Sequence, residues 1–429
     1  MLFKNKIKVC YICLSDDVLS ESNFELIKKA SEYGKVIIGL MSDKAIMEYK
    51  PYPLLSYKQR KIIVQNLKNV FTVVEQNTRD YTNNLNVLKP NFVFHKKNKW
   101  TTGSQKEIRK KIVKTINLWS GKLIEPDIKI NNEEKFFEFN SNFRRNKLKR
   151  LINSKEIVRC LEAHSSLSGL IVEKLKVKKK GKIEEFDAMW CSSLADSAIR
   201  GKPDNQSVDL STRINALNDI LETTSKPIIF DADNGGSLDQ LPFTIRNLER
   251  MGISAIVLED KIGQKKNSLF DNQEDTTQDT IKNFSKKLKI ASQSRISKEL
   301  LIVARIESFI LNKGLADALK RADAFSKAGA DMILIHSKDK TPNQIFKFSK
   351  AFRKSRYFKP MICVPSTYSN THEKQLIDNG FKIVIYANQL LRSIYPAMVN
   401  TAKSILINKR SKNIEGKISS VKDIISLIS

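Results

Sequence analysis

Three acids and two basic groups in this 429-residue chain stand where they could act together. Asp231, Asp233 and Glu259 close two apolar runs, PIIFDAD and AIVLED. On adjacent buried strands three carboxylates repel one another unless a cation neutralises them. Mg²⁺, which takes oxygen ligands and keeps several waters, suits such a set. Arg305 ends LIVARIE and His336 ends MILIHS. They add fixed positive charge and hydrogen-bond donors of the kind that hold a phosphoryl or carboxyl group. The expected ligand is a small phosphorylated or carboxylated anion chelated to a hard metal ion. His95, His164, His336 and His372, the only histidines, and the five cysteines stand at no spacing of a zinc site.

The elements that must position these residues follow from hydropathy. Eight runs, IVRCLEAH, FDAMWCSS, PIIFDAD, AIVLED, LIVARIE, MILIHS, MICVPS and KIVIYAN, are near-continuously apolar, and each leads toward a helical stretch. Strands buried on both faces and joined through helices close into a parallel (β/α)₈ barrel, and their C-terminal ends meet at one mouth. A lone Asp, Ser or Asn at a strand end most simply caps the next helix. Here nearly every end bears a polar group, and the groups are chemically complementary.

Ahead of the barrel, KIKVCYICL, KVIIGLM, VFTVVE and NFVFH alternate with amphipathic stretches such as 25–33 and 57–67, the pattern of a doubly wound α/β domain. The expected organisation is an α/β domain over 1–126, a linker over 127–147 whose charged sequence lacks a period, and a barrel over 148–429. Cys10 and Cys13 form a C-x-x-C, but inside VCYICL both read as buried strand residues. Five scattered cysteines exclude a disulfide framework.

The net charge of +29 raises a nucleic-acid partner, yet the lysines are spread along the whole chain and no binding motif accompanies them. No nucleic acid is expected. No apolar run reaches the ~20 residues that span a bilayer, so no membrane association is expected either, and the expected location is cytoplasmic.

At the strand ends the chain resembles the phosphoenolpyruvate mutase branch of the isocitrate lyase superfamily, through VRCLEAHSSLSGLIVE, MWCSSLADSAIRGKPD, FDADNGG, VLEDKIGQKKNSL, IVARIESFI, ILIHSKD and IYANQLLRS. The resemblance implies Mg²⁺-dependent conversion of phosphoenolpyruvate to phosphonopyruvate. Asp231 would bind the ion directly, and Asp233 and Glu259 through its waters. Ser192 and the amides of Ser193 and Leu194 would hold the substrate anion, with Trp190 packed over it. Arg305 and His336 would hold the phosphoryl and bridging oxygens. Lys265, Asn267 and Leu269 would lie on a gating loop, and Asp204 would support the site. Where this chain has Ser193, many relatives have Gly. The loop KIGQKKNSLF lacks the Cys and His of the lyases' K-K-C-G-H-type loop, and phosphonopyruvate hydrolases tend to have Thr at the place of Asn267. Hydrolysis is the alternative activity, and a non-catalytic scaffold the alternative class. Relatives form dimers or tetramers by exchanging the last barrel helix, here 389–405, and a phosphonopyruvate decarboxylase would draw off the product.

The first domain resembles the nucleotidyltransferases that attach CMP to phosphonates, through VIIGLMSDKAIMEYK and LLSYKQRKIIVQNL. Their H-x-G-H is missing: Ser20 and Asn23 stand at its histidines in DDVLSESNFEL. HKKNKW replaces an acidic H-G-D-D-W, and IKINNEE holds no I-S-S-T-like segment. The domain is expected to be catalytically inactive.

Overall fold

A computed structural model describes residues 8–15, 19–48, 53, 55–97, 103–128, 141–179, 182–263, 265–268 and 276–428. The chain divides into two compact units, one formed mainly by 1–137 and the other by 138–178 and 184–429.

In the first unit, β1 (Val9–Leu14), β2 (Lys35–Met41), β3 (Val70–Gln76), β4 (Phe92–Phe94) and β5 (Lys122–Ile124) form a five-stranded sheet in the order β3-β2-β1-β4-β5. Every neighbouring pair is parallel. Alternation along β1 sends Cys10 and Ile12 into one apolar cluster and Tyr11 into another, so both faces of the sheet are covered. Cys10 is buried and Cys13 half-buried on this strand, and neither is in a disulfide. Strand β5 is only three residues long and half-exposed, too short to show a period.

The second unit is a closed parallel barrel. Its strands are β6 (Val158–Glu162), β9 (Ala188–Cys191), β10 (Ile228–Asp231), β11 (Ala255–Glu259), β14 (Leu301–Ile306), β15 (Met332–Ile335), β16 (Met361–Cys363) and β17 (Phe381–Tyr386). All eight apolar runs supply one strand each, and β17 pairs with β6 to close the ring. Two short pairs interrupt the sequence of barrel strands: β7 (Lys176–Lys179) with β8 (Lys182–Glu185), and β12 (Lys261–Gly263) with β13 (Thr276–Gln278). The segment 127–147, which has no period in the sequence, contains the start of the helix Ser141–Ser154. That helix buries Leu148, Leu151 and Ile152 and adds polar contacts: Arg144 donates to the Leu221 carbonyl at 3.0 Å, and Arg145 to that of Glu249 at 2.7 Å. Among the described residues no helix is long and apolar enough to cross a membrane.

Candidate active site

The C-terminal ends of the barrel strands surround a cavity lined by Trp190, Ser192, Ser193, Leu194, Asp204, Asp231, Asp233, Glu259, Lys265, Asn267, Arg305 and His336. Every site residue expected from the sequence is therefore brought together except Leu269, which lies outside the described residues. Lys266, Ser268, Leu334, Val364, Ser366, Ala387 and Asn388 complete the wall.

The acids are set by backbone as much as by strand. Asp231 is the last residue of β10, and two residues on the chain turns through a left-handed conformation at Asp233 (φ 52°). For a residue other than glycine this conformation is uncommon and costs energy. It lets the Asp233 amide donate to Asp231 Oδ1 at 3.2 Å, while its carbonyl accepts from the Glu259 amide at 2.8 Å. Asp231, Asp233 and Glu259 are all buried. Both oxygens of Asp233 meet cations: Oδ1 takes a hydrogen bond from Lys265 Nζ at 2.5 Å, and Oδ2 one from Arg213 Nη1 at 3.1 Å.

Burial opposes the charge of Asp231, but Arg305, Lys265 and Arg213 outweigh it and hold this carboxyl below its ordinary range. For Glu259 burial wins: its carboxyl is pushed up to about 8 despite Arg305. The site therefore moves the two carboxyls in opposite directions, Asp231 down and Glu259 up. Among the described residues no three His, Cys, Asp or Glu side chains stand at direct-coordination spacing. The donor set still fits Mg²⁺, which retains waters and needs few direct protein ligands. Three buried carboxyl groups, with Lys265, Arg213 and Arg305 already drawn toward them, are the chemistry that would suit such an ion.

On the next strands, Arg305 Nε donates to Glu307 Oε1 at 2.6 Å, and its guanidinium lies 3.5 Å from Glu259 and 3.9 Å from Asp231. His336 Nδ1 lies 3.0 Å from Glu307 Oε1 and 3.1 Å from Arg305 Nη2. Burial lowers the pKa of His336; Glu307 pulls the other way, and Arg305 adds to the lowering. Glu307 is itself ionised: burial would raise it, but Arg305 and His336 hold it well below the ordinary range.

The loop after β12 reaches over the acids. Lys265 Nζ donates to Asp204 Oδ1 at 2.6 Å and to Ser193 Oγ at 2.7 Å, and Asn267 Nδ2 donates to Asp204 Oδ2 at 2.9 Å. Ser193 Oγ lies 3.3 Å from Asp231 Oδ2, so the side chain present at this position connects the loop lysine with the cavity acid. Ser192 precedes the six-residue helix Ser193–Ala198 as its N-cap.

Three further residues at the site make contacts that strand ends alone do not reveal. Arg213, buried in the helix Leu210–Thr223, bridges Asp233 and Asp196 and stacks its guanidinium 4.8 Å from the Phe230 ring. Its sequence signal is only an arginine amid the apolar positions of an amphipathic helix. Glu307 is visible as a strand-end acid, but its role under Arg305 and His336 appears only in three dimensions. Ser268, in a polar loop, gives no signal at all.

The family model for phosphoenolpyruvate phosphomutase matches residues 148–406. Phosphoenolpyruvate phosphomutase of Tetrahymena pyriformis is 33% identical over 67% of this chain and 92% of its own length. Phosphonopyruvate hydrolase of Variovorax sp. (strain Pal2) is 30% identical over 65% of this chain and 93% of its own. The crystal structure of phosphoenolpyruvate phosphomutase from Streptomyces platensis subsp. rosaceus superposes with a TM-score of 0.59 at 28% identity, covering 66% of this chain and 93% of that one. A crystal structure of phosphonopyruvate hydrolase with oxalate and Mg²⁺ gives a TM-score of 0.58 at 28% identity, covering 66% and 94%. With more than half of its length matched by the family model, the chain belongs to the phosphoenolpyruvate phosphomutase family of enzymes.

Proposed function

We propose that this protein interconverts phosphoenolpyruvate and 3-phosphonopyruvate by Mg²⁺-dependent intramolecular phosphoryl transfer. The observation behind this reading is that Arg305, His336 and the loop residue Asn267 share one cavity with three buried carboxyl groups. Asp231 would hold the ion directly, with Asp233 and Glu259 acting through its waters. When bound, Mg²⁺ supplies positive charge to the pyruvyl oxygens.

The P–O bond of phosphoenolpyruvate breaks, and a P–C bond forms at C3 with no net change in protons. A loose, metaphosphate-like transition state asks for positioning and charge stabilisation more than for a nucleophilic side chain. Arg305 and His336 hold the phosphoryl oxygens. Ser192 and the amides of Ser193 and Leu194 hold the carboxylate, under Trp190. Lys265 and Asn267, anchored on Asp204, keep the loop over the substrate and water away from the phosphoryl fragment.

The second reading is hydrolysis, favoured by the similarity to phosphonopyruvate hydrolase. There water takes the phosphoryl group, the P–C bond breaks and C3 gains a proton. Phosphorus NMR of phosphonopyruvate incubated with the protein and Mg²⁺ separates the two, because one yields phosphoenolpyruvate and the other free phosphate. Activity is expected to vanish in Asp231→Ala, and full turnover in excess chelator would remove the metal from the mechanism. A scaffold would show no rise in melting temperature with Mg²⁺ and the unreactive analogue sulfopyruvate, whereas a binding enzyme would.

For the first unit we propose a nucleotidyltransferase-like remnant without transfer chemistry. Support comes from Ser20 and Asn23, which form a capping box on the helix Glu21–Ser31, Ser20 Oγ donating to Asn23 Oδ1 at 2.6 Å. These side chains serve the helix end and offer no imidazole. Phosphonopyruvate decarboxylation by a separate enzyme and homo-oligomerisation through 389–405 complete the proposal.

A further inference from the structure

Two separate sets of contacts hold the loop over the cavity. One, through Lys265 and Asn267, ends on acids. The other ends on the side of Arg305 and His336. Ser268, buried, donates from Oγ to Glu307 Oε2 at 2.6 Å and accepts from Arg305 Nη2 at 3.0 Å. Lys261, at the base of the loop, steadies the same corner by donating to Ser268 Oγ at 3.2 Å and to the Lys266 carbonyl at 2.9 Å.

Glu307 has no exposed surface, and each of its oxygens has a task. Oε1 meets both Arg305 Nε and His336 Nδ1, and Oε2 meets the loop serine. A carboxylate shared in this way cannot shift toward one partner without loosening the others, because its two oxygens move as a rigid unit. Hydrogen bonds to an ionised acceptor are also the stronger kind.

Building on the mutase reading, we propose that Ser268 and Glu307 form a latch coupling the position of the loop to the orientation of Arg305 and His336, and so help decide whether the phosphoryl group passes to carbon or to water. Both are positioning residues. With the latch formed, the groups holding the phosphoryl fragment are in register while the loop excludes solvent. With it broken, Arg305 and His336 lose a fixed reference and the loop an anchor, and water gains time to intercept the fragment.

Replacing Glu307 strips three donors of a buried acceptor and endangers folding, so Ser268 variants make the test. In the full-length protein, amide hydrogen exchange from Lys265 to Ser268 should slow when Mg²⁺ and sulfopyruvate are added. Ser268→Ala should exchange about tenfold faster in that complex, the factor one hydrogen bond sustains, and Ser268→Thr, which keeps the hydroxyl, should restore protection. With phosphonopyruvate, Ser268→Ala should raise the ratio of phosphate to phosphoenolpyruvate and lower kcat for isomerisation more than it changes KM. Unchanged exchange in Ser268→Ala overturns the latch, as does an unchanged product ratio in a wild type that isomerises. A wild type that forms only pyruvate and phosphate overturns the mutase reading, and the exchange arm still decides the latch.

Discussion

The Asn267 carboxamide offers both a donor and an acceptor. Its donor side reaches Asp204, which Lys265 also binds, so the side chain is tied to the loop's own anchor. Asn267→Ala should cut isomerisation by about 10²-fold, the scale of losing one transition-state hydrogen bond. Asn267→Thr should keep some binding but raise the share of phosphonopyruvate that ends as pyruvate and phosphate; measuring both products checks this. Glu259 and Asp260 give a pH prediction, since burial raises their carboxyls to about 8 and about 7. Each folded pKa lies above its unfolded value, so the folded state binds the extra protons and stability falls as pH rises through the folded values. The metal-free protein should therefore melt at a lower temperature at pH 8.5 than at pH 6. Glu259→Gln should reduce that difference, and Mg²⁺ should raise the melting temperature more at the higher pH, as thermal scans across pH would reveal.

At the scale of elements, the barrel depends on helices ending where the next strand must begin. Gly252 closes the helix Leu241–Met251 in a left-handed conformation (φ 89°) just before β11, the strand that ends on Glu259. A Cβ there would meet Ser141 atoms at 2.8 Å, in the helix packed beside it. Left-handed backbone alone costs an alanine about 1–2 kcal/mol, so Gly252→Ala should destabilise by at least that much. The chemistry should survive at temperatures where the variant is folded, a separation that denaturant melts and steady-state rates would establish. The eight barrel strands are legible in sequence because strands buried on both faces need uninterrupted apolar runs. The helix Ser141–Ser154 is not, because its buried face includes Arg144, which donates to a backbone carbonyl that only folding brings near.

At the scale of the whole molecule, two units share one chain, and the site residues expected to act on phosphoenolpyruvate belong to the second. The full-length protein should release no pyrophosphate from CTP with an aminoalkyl phosphonate. Pyrophosphate that disappears on mutating Ser20 and Asn23 would reveal a substitute chemistry in the first unit. By itself the sequence determined the closed parallel barrel and the parallel sheet before it. It also determined which acids, arginine and histidine gather at the mouth, since strand ends are read directly from where apolar runs stop. Only the tertiary structure decided the direction in which the pKa of His336 moves, because burial and the pull of Glu307 against Arg305 depend on distances between strands. Tertiary structure also decided that Arg213 bridges Asp233 and Asp196, and that Ser268 rests on Glu307. Those pairs are 20, 17 and 39 residues apart, and no local spacing rule spans such separations; the barrel's closure brings them within hydrogen-bond reach.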